Sequence, residues 1–386
     1  MKIPKKFFVL EMANNHMGDV KHGLKIIDEF YKVTKKFPFK FGFKLQYRDL
    51  NTFIHKDLKH RNDIKYIKRF NETKLTKKDF RSLILKMRKR NFIPICTPFD
   101  EASVDNIVKD NFDIIKVASC SFNDWPLLEK ISKTNKPIIA STAGATLEEI
   151  GRVVNFFRNR NKEFALMHCV AEYPTPSNKL NLNRLKFLVN KFPKINIGYS
   201  THEDPADSNI LPIAITMGAN IFEKHVGYET EKYPLNRYSS SPLQVNRWLK
   251  AATETYKKIG DENKIFNKNE NEINSLTSLK RGVFLKKSIK ANKKIEINDV
   301  YFAFPPQKNQ ITTDKFSKYS HFLTTKNISK DGALTKANSK VNNTRKIIEN
   351  IVETTKKLLK KSNQFLKGQY DFEISHNYGL EKFFKY

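Results

Sequence analysis

Cysteine is scarce in this chain. Three occur in 386 residues (Cys96, Cys120 and Cys169), and no two form a CxxC pair. That argues against a disulfide framework and fits a reduced, cytoplasmic setting. No apolar run approaches the roughly 18 residues of a membrane helix, so no membrane partner is expected. The N-terminal stretch "MKIPKKFFVLEMANN" opens on lysines, but its apolar run ends at Glu11, too short for a signal peptide. Acidic residues are also under-represented, 40 against 71 Lys and Arg, for a net charge of +31. Such a charge suits either nucleic-acid binding or a solvated lysine-rich surface. The basic residues gather into no arm and no nucleic-acid motif is present, which favours the surface reading and a chain without a nucleic-acid partner. A smaller basic concentration around an anionic substrate fits as well. With 39% hydrophobic residues, the chain can bury one large core plus a smaller unit.

What is present is an alternation. Short apolar runs at 7–11, 41–46, 93–97, 114–118, 137–141, 164–169, 195–200 and 220–225 read as eight strands. Amphipathic stretches separate them. In 21–37, Leu24, Ile27, Phe30 and Tyr31 recur at helical spacing. "TLEE" at 146–149 is a capping box opening a helix through Val153 and Phe157. Eight strands alternating with helices predict an α/β fold, a (β/α)8 TIM barrel, over residues 1–260. A doubly wound open sheet is the alternative. Residues 261–278, polar and Asn-rich, read as a linker. Residues 279–340 show short strands and turns without helical period, a small β-rich domain. Residues 342–366 read as a charged helix, and "YDFEISHNYGLEKFFKY" at the end resumes a strand-then-helix pattern. Residues 341–386 are thus a helical linker and the possible start of a further domain.

The strand ends carry the chemistry. Each run finishes on a polar or reactive group: Glu11, Lys44 with Gln46, Thr97, Lys116 with Ser119, Ser141, His168, Ser200 with His202, and Glu223 with His225. In a (β/α)8 barrel these ends surround one mouth, where catalytic groups sit. Lys116 lies inside the apolar run "FDIIKVAS", and a buried lysine needs an anionic partner. Two cations, Lys44 and Lys116, flanked by Thr97, Ser119, Ser141 and Ser200 suit a phosphate and a carboxylate. His202 and His225, with Glu11 nearby, suit either a divalent metal with open positions or a purely structural role. Glu223 suits a general base or support for His225 equally. His16 in "NNHMGD" shapes the loop after the first strand. The three cysteines read as small buried hydrophobes rather than nucleophiles.

Taken together, "EMANNHMGD", "FKLQ", "TPFDEASVD", "KVAS", "ASTAGATLEEI", "MHCVAEYPTP", "GYSTHEDP" and "GANIFEKHVG", in this order, resemble the N-acetylneuraminate (sialic acid) synthase family over roughly residues 5–340. Residues 279–340 resemble that family's antifreeze-like SAF (β-clip) domain, which in the family caps the barrel mouth of the partner in a domain-swapped homodimer. The resemblance implies a transferase condensing phosphoenolpyruvate (PEP) with an open-chain amino-sugar aldehyde of the N-acetylmannosamine type, to give a nonulosonic acid and phosphate. On that basis Lys44, Thr97, Lys116, Ser119, Ser141 and Ser200 hold PEP. His202 and His225 bind Mn²⁺ or Mg²⁺, Glu11 is a catalytic carboxylate, and Gln46 and Tyr173 line the sugar side.

The chain departs from the family on the sugar side. Ser119-Cys120-Ser121 stands for the usual "SGE", so Ser121 replaces a sugar-contacting glutamate. Ser200-Thr201-His202 stands for "SDH". Asn236, ending Tyr233-Pro234-Leu235-Asn236, replaces a substrate-side aspartate, and Phe304 falls near the SAF arginine. These changes imply a different aldehyde acceptor or weakened catalysis. A PEP-dependent 3-deoxy-sugar-acid synthase and a non-catalytic sugar-binding homologue are the alternatives. The "MHCVAEYPTP" stretch and the SAF-like tail argue against the first. The retained lysines and histidines argue against the second.

Overall fold

The structure, a computed structural model, describes residues 1–261, 264 and 269–361. The chain divides into two compact units, Met1–Asn263 and Lys264–Tyr386.

In the first unit eight strands form a closed parallel barrel: β1 (Phe7–Glu11), β2 (Lys40–Tyr47), β3 (Ile93–Pro98), β4 (Ile114–Val117), β5 (Ile138–Ser141), β6 (Phe164–Cys169), β7 (Asn196–Thr201) and β8 (Ile221–His225). β8 pairs back onto β1, Phe7 opposite Ile221 and Glu11 opposite His225. Closure excludes the open doubly wound sheet, whose ends would lie along a crevice. One principal helix follows each strand, among them Val20–Thr34, Lys77–Lys89, Leu147–Asn159 and Pro242–Ile259. Their starts are locally encoded. The Thr146 and Glu149 side chains close the expected capping box, and Thr76 with Asp79 and Ser241 with Gln244 close two more.

Strand alternation sorts the side chains into two cores. Outward residues such as Phe8, Leu10, Phe43, Leu166 and Phe222 pack under the helices. Inward residues Phe7, Val9, Ile95, Ile114, Ile139, Ala165, Met167 and Ile221 plug the barrel with an apolar layer. Two glycines make room for it. A Cβ on Gly198 would lie 2.6 Å from the Ile221 carbonyl oxygen, and one on Gly42 2.7 Å from Phe7 Cζ. Above this plug, at the C-terminal strand ends, the inward positions turn polar.

The second unit is β-rich. β9 (Gly282–Leu285) pairs with β11 (Val300–Ala303), and β10 (Lys294–Ile295), β12 (Ser320–Thr324) and β13 (Ser339–Asn343) form a three-stranded sheet. Val283, Leu285, Ile295, Val300, Phe322 and Leu334 fill its core. The stretch read as a linker holds a helix, Glu270–Ser278, whose N-cap Asn269 accepts from the Asn271 amide. The asparagine that suggested a loop is a helix-start signal here. A helix, Arg345–Lys361, follows β13. The strand-then-helix pattern expected in 370–386 lies outside the described residues.

Candidate functional site

Four charged side chains meet at the barrel mouth, all buried: Glu11, Lys44, Lys116 and Glu223. The strand register brings them there. Glu11 stands opposite Lys44 across β1–β2, Gln46 opposite Thr97 across β2–β3, and Ser200 opposite Glu223 across β7–β8.

Glu223 is the hub. Its Oε1 accepts from Lys116 Nζ at 3.2 Å and from Ser200 Oγ at 3.1 Å, and Lys44 Nζ lies 3.4 Å away. Its Oε2 is buried without a hydrogen-bond partner among the described residues. Burial works against its charge, but Lys116 and then Lys44 outweigh that and hold the carboxyl down at about 2. Lys44 also pairs with Glu11 and sits 3.4 Å from Thr97 Oγ1. Burial brings the Lys44 ammonium down to about 8, with Glu223 resisting the fall. Lys116 donates to Ser141 Oγ at 2.7 Å. The buried lysine of "FDIIKVAS" thus has its anion: the glutamate on β8, four strands away. Gln46 Nε2 donates to Glu11 Oε1 at 3.4 Å. Cys169 has the Ser119 and Ser200 side chains as hydrogen-bond neighbours, and burial pushes its thiol up. It behaves as a buried filler beneath the site.

Beside the ionic cluster lies an aromatic face. The His202 and His225 rings are 5.3 Å apart, and Tyr173, half exposed, covers His202 at 4.1 Å. Tyr238 closes the face, 5.2 Å from His225 and 5.3 Å from Tyr173. Burial lowers His202 to about 4 and His225 well below its usual value. Both imidazoles are therefore neutral near pH 7, the form that ligates metal. The His202 Nδ1 sits 2.8 Å from the Val170 carbonyl. That oxygen only accepts, so Nδ1 carries the hydrogen and Nε2 keeps its lone pair. Two adjacent neutral imidazoles, one with its tautomer fixed, fit a divalent ion with open positions. Among the described residues no group of three or more His, Cys, Asp and Glu is assembled to hold one by protein ligands alone.

Four expected positions lie elsewhere or are engaged otherwise. His168 faces outward, bonded to the Leu180 carbonyl at 2.8 Å and stacked on Tyr199. Strand parity accounts for this: its neighbours Ala165 and Met167 take the inward side. Asn236 donates to Asn15 Oδ1 at 3.1 Å and accepts from the Tyr238 amide at 3.3 Å. Asn15 in turn donates to the Val226 carbonyl and to Ser239. Asn236 therefore ties the loop after β8 to the loop after β1. Ser121 is buried, its hydroxyl 3.9 Å from Cys120 Sγ. Phe304 belongs to the second unit and is exposed. His16 accepts from the Gly18 amide at 3.2 Å and shapes its loop as expected.

Two site residues were not anticipated. Tyr238 has no sequence signal beyond its place in the loop after β8. Arg48 had one: Lys44 and Gln46 alternate inward, and Arg48 is the next position in that series. It lines a cavity of about 290 Å³ with Asn14, Gln46, Phe70, Thr73 and Lys74.

Comparison with known proteins adds an independent finding. The model of the NeuB family matches residues 42–264. The N,N'-diacetyllegionaminic acid synthase of Campylobacter jejuni is 28% identical, the alignment covering 85% of this chain and 98% of that one. Among solved structures, a candidate spore coat polysaccharide biosynthesis protein E from Chromobacterium violaceum is 47% identical with a TM-score of 0.83, over 86% of this chain and 99% of that one. The N-acetylneuraminic acid (sialic acid) synthetase of Leptospira borgpetersenii is 25% identical with a TM-score of 0.62, over 71% and 90%.

Proposed function

Because this chain belongs to the NeuB family of sugar-acid synthases, we propose that it condenses PEP with the aldehyde of an amino sugar to give a nonulosonic acid and inorganic phosphate. One observation carries the reading. Two buried lysines, ringed by Thr97, Ser141 and Ser200, lie next to two neutral, adjacent imidazoles. An anion site and a carbonyl-activating site are what this reaction needs side by side.

In this mechanism the PEP phosphate and carboxylate take the place of Glu223 and Glu11 as counter-charges to Lys116 and Lys44. Thr97, Ser119, Ser141 and Ser200 donate to the remaining oxygens. A divalent ion, Mn²⁺ or Mg²⁺, held by His202 and His225, would supply Lewis-acid polarisation of the aldehyde oxygen. The C3–C1 bond forms as the PEP double-bond electrons attack the aldehyde carbon, and the aldehyde oxygen ends as a hydroxyl. Water adds at C2, its first proton passing through Glu11 to the former aldehyde oxygen, and the C2–O bond to phosphate breaks as the second proton leaves with the phosphate, giving the 2-keto acid. Lys44 and Lys116 stabilise the charge that moves onto phosphate. Tyr173 and Gln46 flank the acceptor, and Ser121 in place of a glutamate gives it a less anionic wall. The second unit acts as the SAF cap of a partner's barrel in a domain-swapped homodimer of a cytoplasmic enzyme, checked by analytical ultracentrifugation with and without residues 279–386.

The test is PEP consumption with a panel of aldoses and amino sugars in the presence of Mn²⁺ or Mg²⁺. We expect turnover with at least one amino-sugar acceptor, and a fall of at least a thousandfold in Lys116→Ala. If no acceptor consumes PEP, the sugar-binding alternative replaces this one.

A further inference from the structure

Among the described residues Arg48 is a guanidinium with no carboxylate paired to it. Its planar group lies between two rings, 3.6 Å from the Phe99 centroid and 4.2 Å from that of Phe70. Its Nε is buried with no hydrogen-bond partner among the described residues. Burial, the leading cause, lowers its pKa to about 10, and the acid groups within electrostatic reach do not offset it. The carboxylate among them, Asp100, is already used. It accepts from the amides of Asp49 and Ser103 at 2.8 and 2.7 Å and from Ser103 Oγ at 2.9 Å. Asp110, in the same cavity, accepts from Tyr47 and Arg81. The fold stacks a half-buried, permanent cation between two rings, shields its Nε from water and, among the described residues, pairs it with no anion.

The place of this cation matters as much as its isolation. It shares its cavity with Gln46 and Asn14, and Gln46 reaches Glu11 of the ionic cluster. Cys120, after β4, lies within electrostatic reach of both Arg48 and Tyr173. Arg48 therefore sits on the rim of the same mouth, separate from the two lysines. The exposed Lys74 and Lys77 border the cavity as well.

We infer that Arg48 docks an anionic substituent, a phosphate ester or a carboxylate, carried by the sugar acceptor at the end remote from its aldehyde. The acceptor role rests on the proposed condensation; the anion site does not. Clamped between Phe70 and Phe99, the guanidinium offers a pre-oriented fork, which suits oxyanions better than a mobile ammonium.

The experiment has two readouts on the full chain. Calorimetric titration compares 2-acetamido-2-deoxyhexose with its 6-phosphate and with the corresponding 6-carboxylate. At least one anionic sugar should bind tenfold or more tightly than the neutral one, and the tighter of the two identifies the substituent. In Arg48→Gln that preference should fall to near unity, and in Arg48→Lys only part should return. Melting curves establish that each variant is folded, and Arg48→Lys serves if Arg48→Gln is not. Equal binding of neutral and anionic sugars, or a preference that survives both substitutions, overturns the inference. PEP consumption forms the second readout, where the ratio of kcat/KM for anionic over neutral acceptor should collapse in parallel. If no sugar consumes PEP but Arg48-dependent anion binding is seen, the condensation fails and the anion site stands.

Discussion

Replacing Glu223 by glutamine tests the central claim about the mouth, that one carboxylate holds both lysines. The substitution keeps the shape and removes the charge. Three donors converge on Glu223 Oε1, two of them ammonium groups, and the residue is buried. Removing one partner of a buried ion pair costs about 3–5 kcal/mol, because the remaining charge stays out of water without its counter-charge. Lys44 keeps Glu11, so Lys116 bears most of that cost. With about 2–4 °C per kcal/mol for a unit of this size, the melting temperature should drop by roughly 10 °C. A second consequence is more specific. In the native protein an incoming anion must displace Glu223 from the lysines. In Glu223→Gln only Glu11, on Lys44, still competes, so millimolar PEP or inorganic phosphate should raise the variant's melting temperature more than the native one, while turnover is lost. Thermal melts of both proteins across a PEP series make the comparison. A loss below about 1 kcal/mol, or equal protection of both proteins by PEP, would refute the hub.

Three further outcomes are expected. Burial, then Arg69 and His22, depress His16 to about 4. Between pH 6.5 and 4 the unfolded chain therefore binds a proton that the native one refuses, and stability falls as pH falls, by up to about 3 kcal/mol from this group. Urea titrations from pH 7 to 4 should show that slope, and His16→Gln should remove this group's share of it, leaving the share of the buried His202 and His225. A methyl at Gly198 would meet the Ile221 carbonyl oxygen at 2.6 Å and Ile221 Cβ at 2.8 Å. Gly198→Ala should cost about 1–3 kcal/mol by overpacking and lower kcat by shifting Ser200, two residues on. On the outer face, Lys224 and Glu203 form a buried pair at 3.4 Å. Lys224→Met should destabilise by about 3–5 kcal/mol, and adding Glu203→Leu should recover most of it, as chemical denaturation of single and double variants would show.

The barrel was legible because each strand is short, apolar and bounded, and because the polar groups recur at one end of every run. The observed strands match the eight runs to within a residue or two at each end. His168 shows where that reading stops. A polar residue at a strand end reaches the mouth only if its parity is inward, and a shift of one residue sends it to the helix layer. Asn236 shows a second limit. Its hydrogen-bonding capacity is shared with Asn15, more than two hundred residues earlier, and no local pattern announces such a partner. Arg48 is the reverse case: its parity was readable from Lys44 and Gln46, but its lack of a carboxylate emerges only when Phe70 and Phe99 close around it.

The buried lysine shows why the two kinds of reading need each other. From sequence, Lys116 asks for an anion, and either a substrate or a protein carboxylate would answer. The structure supplies Glu223, and the same carboxylate also restrains Lys44. With Glu11 included, two cations face two anions, so the resting cluster is charge-balanced. A balanced cluster tolerates burial without ligand, which a pair of bare lysines would not. It also sets a selectivity rule. A monoanion can replace only one of the two carboxylates, whereas a ligand carrying two separated anionic groups can satisfy both lysines at once. Phosphoenolpyruvate has that form and inorganic phosphate does not. The order of protection in the Glu223→Gln melts should therefore be PEP over phosphate, with a smaller gap than in the native protein, because one of the two displacements is no longer required.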